Sequence, residues 1–140
     1  MSKEKILALD SRLSQQRTDW SDQIKQLAQS LRSINNLEGT IADVLSLRQT
    51  LVDQLAYINV KIKEQKTKLN TRYREAYIRY YEYDYKLGEK QKEKFIEDDL
   101  SADNLILSHL ENQLDFLKES VKTLDNMGFA IRNRLALKDL

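Results

Sequence analysis

An all-α fold is predicted: an elongated helical hairpin or bundle, with a short charged connector holding at most a small strand, followed by a C-terminal helical oligomerisation region. Three observations predict it. The 140 residues contain no Pro and only three Gly, so the chain makes few turns. Apolar residues recur at spacings of three, four and seven along most of the length. No run approaches the roughly 18 consecutive apolar residues of a membrane span. There is no Cys, which excludes disulfides, thiolate zinc sites and a cysteine nucleophile. The length suits one domain rather than two full ones, read here as an N-terminal region 1–100 and a C-terminal region 101–140. The opening MSKEKILALD lacks an apolar stretch of signal-peptide type, so no signal peptide is expected.

The glycines and one asparagine pair divide the chain into segments of about 3–34, 40–87, 101–127 and 129–139. The first carries Ile6, Leu9, Leu13, Trp20, Leu27, Leu31 and Ile34, an amphipathic helix with polar gaps at Gln16 and Gln23. Asn35, Asn36 and Gly39 signal a loop. The second carries Ile41, Val44, Leu45, Leu51, Val52, Leu55, Ile58 and Ile62, a stripe wide enough to pack on more than one helix. At ~1.5 Å per residue this helix reaches about 70 Å, so part of it must project or meet other protomers. Gly88 is read as its end, and residues 89–99 as a charged loop with a short strand near Phe95 and Ile96. Ser101 is the N-cap candidate of the third helix, with Asp103 in its first turn. Leu107, Leu110, Leu114, Leu117, Val121 and Leu124 follow in steps of three and four, the heptad spacing. Under three heptads is too short for a free coiled coil, so this seam walls a bundle or a subunit interface. Gly128 is read as the end of this helix, and a last short turn carries Phe129 and Ile131.

Net charge is +1, so charge is informative only locally. Residues 61–79 hold seven basic and two acidic side chains, whereas residues 80–99 hold four basic and seven acidic. All seven tyrosines lie between residues 57 and 85. Cations neutralise phosphates, and phenol rings offer faces to unpaired bases. Lys66, Lys68, Arg72, Arg74 and Arg79, with Tyr73, Tyr77, Tyr80 and Tyr81, are therefore the candidate residues for single-stranded DNA. Tyr73, Tyr77 and Tyr80 share a helix face by their spacing. The same stretch also reads as a solvated cationic face with amphipathic interface tyrosines.

The order of residues then suggests a family. Arg79-Tyr80-Tyr81-Glu82-Tyr83-Asp84-Tyr85-Lys86-Leu87, the stretch from Phe95 to Asp103, and Met127-Gly128-Phe129-Ala130-Ile131-Arg132-Asn133 resemble, in order and spacing, the UvsY-like phage recombination mediators. The resemblance covers about residues 69–140; residues 1–60 lack the Pro-containing N-terminal segment frequent in that family. It implies a non-enzymatic accessory protein of DNA recombination and repair in the cytoplasm of the infected host cell. Such a protein binds single-stranded DNA, forms a ring-like homo-oligomer, and helps a RecA-like recombinase displace single-strand DNA-binding protein. It implies DNA contacts at Arg72, Arg74 and Arg79 with Lys68 next, and oligomerisation through Leu107, Leu110, Leu114, Leu117, Val121, Leu124, Phe129 and Ile131. A ring would multiply a weak patch by multivalency.

Other residues are assigned bland roles. His109 is the only histidine, so neither a metal site nor histidine catalysis is expected. Trp20 reads as a core or interface anchor, and Asp98 and Asp99 as a solvated acidic loop. No phosphate-binding glycine loop, nucleophile elbow or paired metal carboxylates occur, so no enzyme activity, cofactor or metal is expected. The rival reading is a coiled-coil scaffold or adaptor whose seams assemble other helical proteins.

Overall fold

The structure is a computed structural model and describes residues 2–82 and 87–138. Three helices, α1 (Lys3–Ser30), α2 (Leu37–Glu82) and α3 (Glu89–Lys138), account for nearly all of it, with one 3-10 turn at Ile34–Asn36. The fold is all-α, as the apolar spacing predicts. Tyr83, Asp84, Tyr85 and Lys86, which belong to the tyrosine-rich stretch, lie outside the described residues.

Local chemistry sets the ends. Ser2 is extended and its Oγ accepts from the Lys5 amide at 3.3 Å, capping α1 beside Glu4. At the other end the amides of Leu31, Arg32 and Ser33 bond back to Leu27, Gln29 and Ser30, tightening the last turn. The chain break is therefore at residues 31–36, and Gly39 already lies in α2. Gly88 opens α3 rather than closing α2: its carbonyl accepts from the Lys92 amide at 3.0 Å, the first bond of the helix. Gly128 does not end a helix either, because α3 runs through it to Lys138.

The expected loop at residues 89–99 is helical, and no strand forms among the described residues. Its Glu, Lys and Gln residues are strong helix formers, and opposite charges sit three apart at Glu89/Lys92, Lys90/Glu93 and Lys94/Glu97. Ile96 and Leu100 then bury against α2. Ser101 is consequently internal, donating from Oγ to the Asp98 carbonyl at 2.9 Å instead of capping. Asp103 lies well inside α3 and is buried. The division at residue 100 falls within α3, and one core takes side chains from Ile6 to Ile131.

The antiparallel pair α2/α3 is the spine, and α1 leans mainly on α3. Asp103, Ile106, Leu110, Gln113, Leu117, Ser120, Leu124, Met127 and Ile131 are buried, an unbroken alternation of three and four. This register is displaced from the predicted seam. Leu110, Leu117 and Leu124 belong to both, whereas Leu107, Leu114 and Val121 are only half-buried. Because α3 is wedged between two partners, its inward face includes polar positions. Gln113 is tolerated there because Arg17 donates to its Oε1 at 2.7 Å and its Nε2 donates to Gln16 at 3.2 Å. Leu110, Leu117, Leu124 and Ile131, members of the expected oligomerisation set, are buried in this chain's own core. Phe129 remains exposed.

Three contacts fix how α1 lies along α3: Asp10 with His109 at 3.4 Å, Arg17 with Gln113, and Trp20 stacked on Phe116 at 6.4 Å. Each pairs residues 96–99 apart in sequence, so α1 starts level with residues 99–102 of α3. Beyond that level, α2 and α3 continue alone as a two-helix arm. A second small core of Ala76, Ile96 and Leu100, flanked by Leu69, Tyr80 and Tyr81, holds the arm together. The projection expected of the long helix is this arm.

Candidate nucleic-acid interface

Most of the basic and aromatic candidates lie on the arm, and the phase of α2 divides them. At about 100° per residue, Lys66, Tyr73, Arg74 and Tyr81 fall within about 60° of Tyr77, and so does Lys63. Glu64 and Glu75 point about 140–160° away from it. The face from Lys63 to Tyr81 therefore carries cations and phenols of α2 without an acid of α2 among them. Lys63, Lys66, Tyr73, Arg74 and Tyr77 are all exposed. Lys63, Lys66 and Arg74 make no ion pair among the described residues.

Spacing of four residues turns the rings into a ladder. Tyr77 and Tyr81 stack at 4.3 Å with an interplanar angle of 12°, and Tyr73 follows Tyr77 at 6.3 Å, tilted by 31°. Lys92 of α3 sits 4.8 Å above the Tyr81 ring and closes the distal end. Burial there pushes the Tyr81 phenol above its ordinary pKa, with the negative charges of Glu93 and Glu89 adding to the rise. Tyr81 is thus neutral at physiological pH and presents a ring rather than a phenolate.

Of the other candidates, Lys68, Arg72 and Arg79 lie about 140–180° from Tyr77, and Tyr80, only about 60° from it, is drawn to α3. Arg72 reaches across to Asp103 at 2.5 Å. Arg79 pairs with Asp99 at 3.1 Å, and the Tyr80 hydroxyl donates to the same carboxylate at 2.9 Å. That hydrogen bond, chiefly, raises the Tyr80 pKa. The Tyr80 ring stacks on Phe95 at 5.6 Å. These three side chains tie α2 to α3. Lys68 lies on a further side of α2, in a groove facing α1. The structure thus groups Lys66, Tyr73, Arg74, Tyr77 and Tyr81, and sets Lys68, Arg72, Arg79 and Tyr80 apart from them.

Lys63 is a member of the face that the candidate set omits, and Lys92 is its neighbour from α3. The signal for Lys63 was its position: fourteen residues before Tyr77 and eighteen before Tyr81, close to whole turns. Nothing in the order of residues reveals Lys92, because its place depends on α3 folding back.

Among the described residues no three His, Asp or Glu side chains converge as metal ligands, and no helix is long and apolar enough to cross a membrane. Comparison with protein-family models, with curated proteins and with solved structures gave no match to the chain.

Proposed function

We propose that the chain is a non-enzymatic recombination mediator that binds single-stranded DNA along the Lys63-to-Tyr81 face of α2. One observation carries the reading: the stacked tyrosines and Arg74 of the projecting arm continue at its base into Lys66 and Lys63 on a face free of α2 carboxylates, and these three cations make no ion pair among the described residues. Base stacking on such rings contributes ~1–3 kcal/mol per base and tolerates any sequence. The resemblance to UvsY-like mediators supplies the role: presenting the strand to a RecA-like recombinase while displacing single-strand DNA-binding protein, in the cytoplasm of an infected host cell.

Self-association belongs to the proposal. Going toward its N-terminus, the same side of α2 continues as Ile41, Leu45, Val52 and Leu55, in phase with Tyr77. Leu55 and Val121 line one depression between α2 and α3. Half-buried Leu107, Leu114 and Val121 and exposed Phe129 are the part of the expected oligomerisation seam left outside the core. Copies meeting there would align their ladders on one side of the assembly, and weak sites would act together. The same half-exposed apolar strip favours the second reading, a scaffold or adaptor for other helical proteins.

The test is fluorescence anisotropy of a labelled single-stranded oligonucleotide at low and moderate salt, with assembly mass followed by light scattering. Wild type is compared with a Lys66→Ala, Arg74→Ala, Tyr77→Ala variant. Salt-sensitive binding lost in the variant at unchanged mass supports the mediator. Preference for duplex, absence of salt dependence, or an indifferent variant overturns it. Absent DNA binding by an intact assembly favours the scaffold.

A further inference from the structure

We infer that the groove between α1 and α2, at the base of the arm, is a docking site for a short acidic amphipathic helix of a partner protein. The two helices flanking it barely touch each other, since each packs mainly on α3. The depression they leave measures about 600 Å³. Its floor is apolar, made by Leu9, Leu13, Ile58 and Leu110. Its rim is cationic. Arg12 comes from α1, and Lys61 and Lys68 come from α2. Among the described residues the one carboxylate on the rim is Glu64, which already pairs with Lys61 at 3.4 Å. Arg12 and Lys68 are exposed and have no ion-pair partner among the described residues.

Shape and charge together select the occupant. An apolar trough between two helices accepts a third, whose anchors repeat at i, i+3 or i+4, and i+7. The excess of cations on both banks selects carboxylates beside those anchors, which steer encounter and fix orientation. A second copy of this chain is a poor occupant. Its own acid-rich helical stretch, at the start of α3, buries Ile96, Leu100 and Asp103 and leaves Phe95 as its exposed large apolar side chain, too little for a row of anchors. Nucleic acid suits the trough less well than the ladder, because Tyr57 is its only aromatic lining residue among those described. Tyr57, Lys61 and Lys68 lie about 160–180° around α2 from Tyr77, so the groove and the ladder can be filled at once. The inference therefore stands apart from the proposed DNA face.

The probe is a synthetic peptide of about five turns with Leu anchors at helical spacing, flanked by Glu and free of Trp. A twin carries Lys for each Glu. Binding to the full chain is followed by titration calorimetry and by Trp20 emission, since Trp20 and Leu47 line a second depression between α1 and α2. The acidic peptide is expected to bind at least ~10-fold more tightly than its twin, the scale at which opposed charge patterns discriminate. Arg12→Glu with Lys68→Glu should reverse that preference, and Arg12→Glu alone should weaken it while leaving oligonucleotide binding within about two-fold, as for independent sites. Arg12→Ala with Lys68→Ala, at exposed positions, serves as the milder variant. Equal binding of the two peptides, or reversal without effect, overturns the inference. So does loss of oligonucleotide binding in Arg12→Glu alone, which would make the groove a path for nucleic acid. Failure of the DNA face leaves the peptide result standing, because neither Arg12 nor Lys68 lies on it.

Discussion

Arg72, with its side chain 40% exposed, meets the 2% exposed carboxylate of Asp103 at 2.5 Å across the α2/α3 interface. A buried carboxylate without a counter-charge is costly, whereas an exposed guanidinium is not. Arg72→Ala is therefore expected to destabilise the chain by about 2–3 kcal/mol, less than for a fully enclosed pair because water reaches the Arg72 side. Asp103→Leu added to Arg72→Ala should recover most of the loss. Urea denaturation of the two single variants and the double variant measures the coupling. If Arg72 instead contacts DNA, the double variant will be stable and still deficient in oligonucleotide binding.

The tyrosine ladder makes a prediction that separates ring from hydroxyl. Tyr77→Ala removes the middle rung, stacked on Tyr81 and adjacent to Tyr73. Affinity for a single-stranded oligonucleotide should fall by about 1–3 kcal/mol, and Tyr77→Phe should retain nearly all of it. The Tyr77 side chain is exposed, so stability should change by no more than about 0.5 kcal/mol. Anisotropy and thermal melting on the same samples decide the matter. Equal losses for Ala and Phe would point to the hydroxyl and away from stacking.

Lys66 and Arg74 should reveal themselves in salt dependence rather than in affinity at one condition. Each phosphate neutralised on a single strand contributes about 0.7 to the slope of log K against log salt. Lys66→Ala and Arg74→Ala should each flatten that slope by about this amount, with Arg79→Ala changing it less because Arg79 is engaged by Asp99. Identical slopes for all three variants would mean that phosphate does not distinguish the two sides of α2.

The helices themselves were legible because Pro is absent and apolar spacing is nearly unbroken, but their ends were not. Gly88 and Gly128 looked like terminators, yet neither adopts positive φ. Propensity and burial of Ile96 and Leu100 carry α3 through a stretch whose charge alone resembles a loop. The candidate site was legible as a composition, seven cations and six tyrosines close together, while its division into faces was not. Arg72 and Arg79 have the same residue type and neighbourhood as Arg74. Only the return of α3, bringing Asp103 and Asp99, makes two of them structural. The seam was partly legible for a similar reason: a helix gripped from two sides buries the bisector of both contacts, and Gln113 sits there without being apolar.

That register is itself testable. Leu117 and Leu114 are indistinguishable in the heptad spacing, but Leu117 is fully buried and Leu114 only half-buried. Leu117→Ala should cost about 2–5 kcal/mol, and Leu114→Ala distinctly less. Denaturant midpoints give the difference. A larger loss at Leu114, growing with protein concentration, would show that it is covered in an assembly.

Tyr80 gives the arm a dependence on alkaline pH. Its hydroxyl donates to Asp99, and that bond requires the phenol proton. The pKa is accordingly raised above 10.0, chiefly by this hydrogen bond, with desolvation and the Asp99 charge adding to it and Arg79 opposing. The folded chain thus prefers the protonated phenol more than the unfolded chain does. The contribution to stability is complete below about pH 10, the unfolded value, and disappears as pH rises through the higher folded value. Above both values the tyrosinate faces the Asp99 carboxylate and the arm loses a tie between α2 and α3. Wild type should lose more melting temperature between pH 9 and pH 11.5 than Tyr80→Phe, which has no proton to give up. The tyrosinate absorbance difference between the two proteins should have its midpoint above 10. A midpoint at or below 10 would mean that Asp99 serves Arg79 alone, and the arm would then close through the Arg79 ion pair and the small core of Ala76, Ile96 and Leu100.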